Sequence, residues 1–408
     1  MAVTPNAIAD CVLSTFDSLP AKCKPRPRYD NAREWTPLSG IVLCKDGEML
    51  TCVALGTGAK CLPLSKIPRA KGTILHDWHA EVLAIRSFNL FLIQECVHLL
   101  DGKQQSDFIR RRTDTEITKS AFQPFEINDN IEIYMYCSEA PCGDASMELV
   151  MGAQDDPTPW AFPQPAHLSV SGGISTENST ILSGRGYFSE VGIVRRKPSR
   201  PDAPPTLSKS CSDKLALKQC TSLLNCITSL LFHPGNAYIY MLVLPSSQYV
   251  PKATDRAFGP DGRMLGINDA QRIGWPDGYS FRPFAMKTTE REFAWSRRNG
   301  EGREMIPCNL SAVYTPYCQE TLVGGVLQGR KQSDFRAASR TSRRGLLQLL
   351  QNHHSLRLVL PKGSIGLSYT DLKNSSYVCE WRKVKDDVKA KALRGWVSNQ
   401  KDEAWSLN

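Results

Sequence analysis

Residues 130–152 read NIEIYMYCSEAPCGDASMELVMG, and this stretch sets the architecture. Its first part, to Ser138, is a β-branched and aromatic run, short enough for a strand and apolar enough to be buried on both faces. Pro141 and Cys142 end the run, and the residues after them begin a helix. A buried strand that feeds a helix directly is a building unit of α/β sheet proteins. At such a junction, backbone N–H groups and the helix dipole stabilise a thiolate, so Cys142 is a candidate ligand.

Working outward, SGIVLC (39–44) and EMLTCVALG (48–56) read as two strands of a hairpin joined by KDGE. HAEVLAIRSFNLFLIQECVHLL (79–100) has helical periodicity throughout and is expected to be a long buried helix. Residues 6–19 form a shorter amphipathic helix, 101–130 a charged loop or insertion, and 155–180 a Pro/Gly/Ser/Thr-rich loop. Helical periodicity returns in SCSDKLALKQCTSLLNCITSLLF (210–232), followed by a strand in NAYIYMLVLP (236–245). Residues 250–300 are loop-rich, 310–316 a short strand, and 365–397 helical and basic. There is no internal repeat and no clear linker. The expectation is one domain over 1–408, with a core at about 36–245 and an extension at about 246–408 packed on it.

The composition bounds what such a domain does. The chain has 408 residues, 41% apolar and 22% charged, enough for a sizeable core. Net charge is +9, compatible with a polyanionic partner. No run reaches the roughly 18 uncharged apolar residues of a membrane span, and the amino terminus lacks a basic region and carries Asp10 where a signal peptide would be apolar. Fourteen cysteines without regular spacing, several inside apolar runs, point to reduced thiols. The expectations are an intracellular protein of the cytoplasm or nucleus, with no membrane partner.

His79 and Glu81 form an H-x-E at the start of the long helix. With seven histidines in the chain such a pair arises often by chance, so its weight comes from the Pro-Cys junction. Replacing an exocyclic amine by oxygen requires a metal that ionises water near neutral pH and a carboxylate that moves the proton. His79 and Cys142 supply two metal ligands, and Glu81 the carboxylate. Zinc-dependent base deaminases usually place a second cysteine two residues after the first, but Ala145 stands there. Catalytic zinc takes three protein ligands, so the third comes from elsewhere. Cys220 and Cys226 read as core residues, and Cys137, at the end of the strand, stands open between core and ligand. Cys211 sits before a strong helix start, between Ser210 and Ser212 with Lys214 nearby, and is the preferred candidate; Cys137 stays the alternative.

DWHAE (77–81), SEAPCGDAS (138–146) and SCSDKLALKQ (210–219), in that order, resemble the eukaryotic adenosine deaminases acting on RNA and their tRNA-specific relatives. GTGAKC (56–61), SGRG (183–186) and GWV (395–397) extend the likeness over most of the chain. The resemblance implies a cytidine-deaminase-like mixed sheet flanked by helices, with a helical C-terminal extension. It implies zinc held by His79, Cys142 and Cys211, with Glu81 as proton shuttle. Lys60 and Arg185 match positions near the target nucleotide, although Arg185 replaces the Glu with which duplex-editing relatives fill the gap left by a flipped base. With the whole chain taken up by the deaminase domain, the tRNA branch is favoured, which forms inosine next to the anticodon of alanine tRNA.

The family also buries inositol hexakisphosphate. The positions implied for it are Arg86, Lys214, Lys218, Arg343, Tyr369, Lys373, Lys383 and Trp396. Leu217 and Lys218 replace an Arg-Trp pair of the duplex editors, and Ser398 replaces a Glu. Basic loops at 66–71 and 195–200 are candidate phosphate-tracking surfaces. The remaining expectations are a monomer that binds no DNA. Two competing functions are deamination of other structured RNA or mRNA duplexes, and a non-catalytic RNA-binding subunit. The non-ligand Glu81 speaks against the second.

Overall fold

The computed structural model describes residues 3–26, 31–102, 105–152, 182–183, 190–197, 203–268, 274–276, 278–300, 302–398, 402 and 405–407. Its centre is an eight-stranded sheet of order β5-β4-β3-β1-β2-β6-β7-β8. The strands are β1 (Leu38–Lys45), β2 (Met49–Thr57), β3 (Ile131–Cys137), β4 (Ile239–Pro245), β5 (Ala285–Thr289), β6 (Leu310–Thr315), β7 (Cys318–Val323) and β8 (Val326–Leu327). β3, β4 and β5 are mutually parallel and every other pairing is antiparallel, so the sheet is mixed.

β1 is buried at every position but its last, which explains its unbroken apolar run. Alternate residues face opposite sides of a strand. Val42 and Cys44 join Ile8, Val12 and Phe16 of α1 (Pro5–Asp17) on one face. Ile41 and Leu43 join Phe88 and Phe91 of α2 (Ala80–Leu100) on the other. Truncating a fully buried Phe such as Phe88 costs about 3–5 kcal/mol. At Gly56 a Cβ would stand 2.5 Å from Leu83 Cβ and 2.8 Å from Ala84 N, so only glycine lets α2 lie this close to β2. By length and composition α2 suits a bilayer crossing, yet 72% of its most apolar window is buried within the fold.

The sheet continues past residue 245: β5 to β8 belong to the extension, and β5 and β6 pair with β4 and β2 of the first half. A long sequence separation between β2 and β6 hides this pairing from local patterns. The helical part of the extension includes α5 (Arg343–Asn352), α6 (Tyr369–Asn374) and α7 (Cys379–Lys391). Leu346, Leu350, Val384 and Val388 share one core with α2 and with α3 (Cys211–Thr221). α3 is shorter than its periodicity predicts. It stops at Thr221, where Ser222 turns at φ +56°, and the apolar residues up to Phe232 pack as turns and short 3-10 segments. Cys226 therefore lies in a buried turn and not in mid-helix. Residues 101–130, expected as loop, hold a short antiparallel ribbon, Ile109–Arg111 with Phe125–Ile127.

Candidate metal centre

Three chain segments meet beyond the carboxyl end of β3. His79 is the N-cap residue of α2, Cys142 follows β3 after four residues, and Cys211 is the first residue of α3. The α3 start is fixed by a capping box: Ser210 Oγ accepts from Asp213 N at 3.1 Å, and Asp213 Oδ2 from Ser210 N at 3.2 Å. Ser212 then registers the two cysteine segments against each other. Its N–H donates to Cys142 O at 3.0 Å, and its hydroxyl to Pro141 O at 2.9 Å. Gly143 adopts φ +103°, and a Cβ there would lie 2.4 Å from both Ser210 Cβ and Oγ. Glycine is thus required by backbone conformation and by space together.

As a result the ligand atoms of His79, Cys142 and Cys211 all lie within 4.8 Å of one another. Cys142 Sγ is 3.8 Å from His79 Nδ1 and accepts from Cys211 N at 3.3 Å. One imidazole and two thiols in this arrangement suit zinc, which takes nitrogen and sulfur ligands and keeps a fourth position open in catalytic sites. Cys137, the alternative third ligand, belongs to no such group among the described residues. It is buried within β3, and burial pushes its thiol well up. Cys220 and Cys226 are likewise buried in the core.

The electrostatics follow from burial and from neighbours. A hydrogen bond from Cys211 holds Cys142 well below the ordinary thiol range against the opposing effect of burial, with Lys197 and His79 adding to it. Burial and Lys197 push His79 down, but Cys142, Cys61 and Asp77 outweigh them and hold it at about 10. A cation at the centre displaces that proton. Glu81 is 6% exposed, and burial together with Cys142 raises its carboxyl. A raised carboxyl beside a metal centre is a group suited to carry a proton near neutral pH.

Sequence reasoning missed what stands behind the ligands. Asp77 accepts from His79 N at 3.0 Å through Oδ1. Its other oxygen takes Lys197 Nζ at 2.9 Å, Lys214 Nζ and Ser208 Oγ. Lys197 Nζ also reaches Cys211 Sγ at 3.3 Å. A carboxylate so supported fixes the backbone at His79 and, through Lys197, ties that segment to the Cys211 thiol. The D in DWHAE was a legible signal; Lys197 was not. Arg195 and Lys197, expected on a surface loop, are 1% and 5% exposed: Lys197 points inward to Asp77, and the Arg195 guanidinium donates to the Glu190 carbonyl. Residues 198–200 lie outside the described residues, whereas Lys66, Arg69 and Lys71 are exposed as expected. Cys61 also approaches His79 and Asp77 closely enough to form a second donor group, but two lysines already neutralise Asp77.

Lys60 is half-buried; its carbonyl accepts from Trp78 N at 3.0 Å and its ammonium bonds Asn309 Oδ1. Arg185 lies outside the described residues.

Lys214 leads from the centre to a cavity of about 440 Å³. Of the residues predicted to face a polyphosphate, Arg86, Lys214, Lys218, Arg343, Tyr369, Lys373 and Trp396 line it. Lys383 does not: it is exposed on the outer side of α7, and Lys385 points inward two residues later. The α-helical repeat places 381, 385 and 389 on the face opposite 383. Lys209, Trp381, Arg382 and Lys389 also line it, as do the carboxylates of Asp77 and Asp386, none of which the sequence revealed as lining. Burial, then mutual repulsion, lowers Lys209 to about 6, Lys218 to about 7, Lys385 to about 8 and Arg86 to about 10. Buried cations that depress one another fit a ligand of high negative charge.

Residues 54–400 match the family described as the adenosine-deaminase (editase) domain. The chain is 33% identical to the tRNA-specific adenosine deaminase 1 of Schizosaccharomyces pombe, over 98% of this chain and 96% of that protein. It is 34% identical to the protein of the same description from Saccharomyces cerevisiae, over 59% and 58%. A shorter likeness, 32% over 26% of this chain and 14% of the other, joins it to the double-stranded RNA-specific editase B2 of Mus musculus.

Proposed function

The chain belongs to the adenosine-deaminase (editase) family, and from that premise we propose that it converts adenosine to inosine in tRNA, with the position next to the anticodon of alanine tRNA as its target. The near full-length likeness to a tRNA-specific deaminase carries this reading, since the likeness to a duplex editase spans a quarter of the chain. The buried Glu81 beside the His79–Cys142–Cys211 donor set supplies the chemistry.

His79, Cys142 and Cys211 hold zinc in this reading. When bound, zinc makes a water molecule acidic enough to ionise near neutral pH. Glu81 takes the proton from the water oxygen and passes it to the purine ring nitrogen next to C6. The water oxygen bonds to C6; Glu81 then takes the remaining proton of that hydroxyl and gives it to the amine, and as the carbonyl forms at C6 the C6–N bond breaks and ammonia departs. The walls that bury Glu81 keep its carboxyl raised, so it takes up the proton and holds it nearer to neutral pH until transfer. In this reading Lys60 and Arg185 meet the phosphate or base of an extruded nucleotide, a role supported by their match to family positions.

The cationic cavity takes inositol hexakisphosphate in this reading. The Lys214–Asp77–Lys197–Cys211 chain then joins the polyanion to the metal centre, so loss of one loosens the other. All fourteen cysteines are free, which supports a reducing, intracellular setting.

The test is incubation with alanine tRNA transcripts, other tRNAs, an RNA duplex and free adenosine, read by sequencing or chromatography for inosine. Inosine in alanine tRNA alone is expected. Glu81→Gln is expected to abolish the product while metal content stays at about one zinc per chain. Full activity of that variant would overturn the mechanism, and preferential action on the duplex would overturn the substrate.

A further inference from the structure

The two cysteine segments share a pattern, Cys142-Gly143-Asp144 and Cys211-Ser212-Asp213. Two residues after each thiol stands an aspartate with 0% exposure. Burying a carboxylate is costly unless a cation and further donors compensate it. Each carboxylate meets one arginine from α4 (Pro251–Phe258) or the turn that follows it, with the buried Arg195 close to both.

Arg263 Nη1 lies 2.6 Å from Asp213 Oδ1, and the two side chains are 2% and 0% exposed. Arg256 Nε lies 3.1 Å from Asp144 Oδ1, and its Nη2 donates to Asp144 O at 2.9 Å. The same guanidinium holds Glu148 Oε1 at 2.6 Å. The arginines are also tied to each other through the backbone: Arg263 N donates to Arg256 O at 3.0 Å, and Arg263 Nε to Ala257 O at 2.9 Å. These bonds reach the residues after the cysteines, not the sulfurs. Asp213 is moreover the capping-box residue of α3, with Oδ2 occupied by Ser210 and by Arg195 N at 3.0 Å. Arg263 therefore takes the one carboxylate oxygen that the cap leaves over.

We propose that Arg256 and Arg263 are positioning residues for the two cysteine ligands, so that the 251–263 segment sets how tightly the centre holds its metal. The inference rests on the metal-centre reading above. Thiol-bearing segments that repel one another as thiolates need support from behind, and outer-shell partners typically change metal affinity 10–100-fold. A single rigid segment that grips both segments by adjacent aspartates supplies it without touching substrate.

The experiment compares zinc release to a chromophoric chelator, and the visible spectrum of the cobalt-substituted protein, for wild type, Arg256→Gln, Arg263→Met and Arg263→Lys. Release about 10–100-fold faster is expected for Arg256→Gln and Arg263→Met, with altered sulfur-to-cobalt bands. Arg263→Lys is expected to recover part of the loss, because one ammonium can still meet Asp213 Oδ1. Wild-type release and spectra in folded Arg256→Gln and Arg263→Met would overturn the proposal. If Arg263→Met does not fold, Arg256→Gln decides, since its guanidinium is partly solvated. Wild-type protein that carries no metal would instead refute the metal-centre reading, and the positioning role with it.

Discussion

Asp77→Asn is the substitution most directly tied to the architecture of the centre. Asp77 is 4% exposed and faces two ammonium groups. Burial raises its carboxyl, but Lys197 and Lys214 outweigh burial and hold it well below the usual range. Asparagine keeps the shape and removes the charge. Lys214 is 22% exposed and still has Ser208 at 2.8 Å, so it loses little. Lys197 is 5% exposed and is left with Cys211 Sγ. Breaking a buried pair by removing one partner costs about 3–5 kcal/mol, and the remaining sulfur contact places the loss near 3 kcal/mol. That is a large share of the roughly 5–15 kcal/mol by which domains are stable. Because the folded carboxyl titrates below its unfolded value of about 3.9, the contribution is complete above that pH and fades only as pH falls through the folded value. Urea unfolding near pH 7, at fixed metal and polyanion, measures it. The double variant Asp77→Asn/Lys197→Met is expected to be more stable than Asp77→Asn alone, since it leaves no uncompensated charge. A loss under about 1 kcal/mol, or a double variant no better than the single one, would refute the reasoning.

Two further outcomes follow from the cavity and from the backbone. In the polyanion-free protein Lys209, Lys218 and Lys385 titrate below their unfolded values, so between about pH 6 and 10 the unfolded chain binds more protons. Thermal stability without inositol hexakisphosphate should therefore rise with pH over that window, and saturation with it should flatten the rise; a flat profile without ligand would count against the cavity electrostatics. Gly143→Ala should lose zinc, because its Cβ meets Ser210 at 2.4 Å in a backbone at φ +103°. Gly47→Ala, also at positive φ but with nothing within 4 Å, is the control expected to keep its metal. Equal zinc content in the two variants would contradict the packing argument.

Much of the site was legible because its chemistry is local. His79 and Glu81 begin one helix, Cys142 leaves a strand, and Cys211 begins another helix with its cap written beside it as Ser210 and Asp213. The cavity was legible only in part. Lys214 and Lys218 share a helix face by spacing; the helical repeat sets Lys383 and Lys385 on opposite faces, but only the packing of Val384 and Val388 into the core decides which face turns inward. Lys197 and Arg195 looked like surface residues because they sit in a basic, proline-rich segment, and nothing local says that buried carboxylates await them.

The sequence by itself determined the elements that lead to the centre and the donor types at their ends, since caps, periodicity and junction residues act over a few positions. Tertiary structure decided what those elements meet. Pairing of β2 with β6 carries the sheet into the second half of the chain, and the apolar run after Thr221 folds into turns instead of prolonging α3. Asp77 meets Lys197, and Asp144 and Asp213 meet the arginines after residue 250, across gaps of about 50 to 120 residues. Each buried charge is tolerable only once its distant partner is in place, and that condition belongs to the packed fold and to no stretch of sequence.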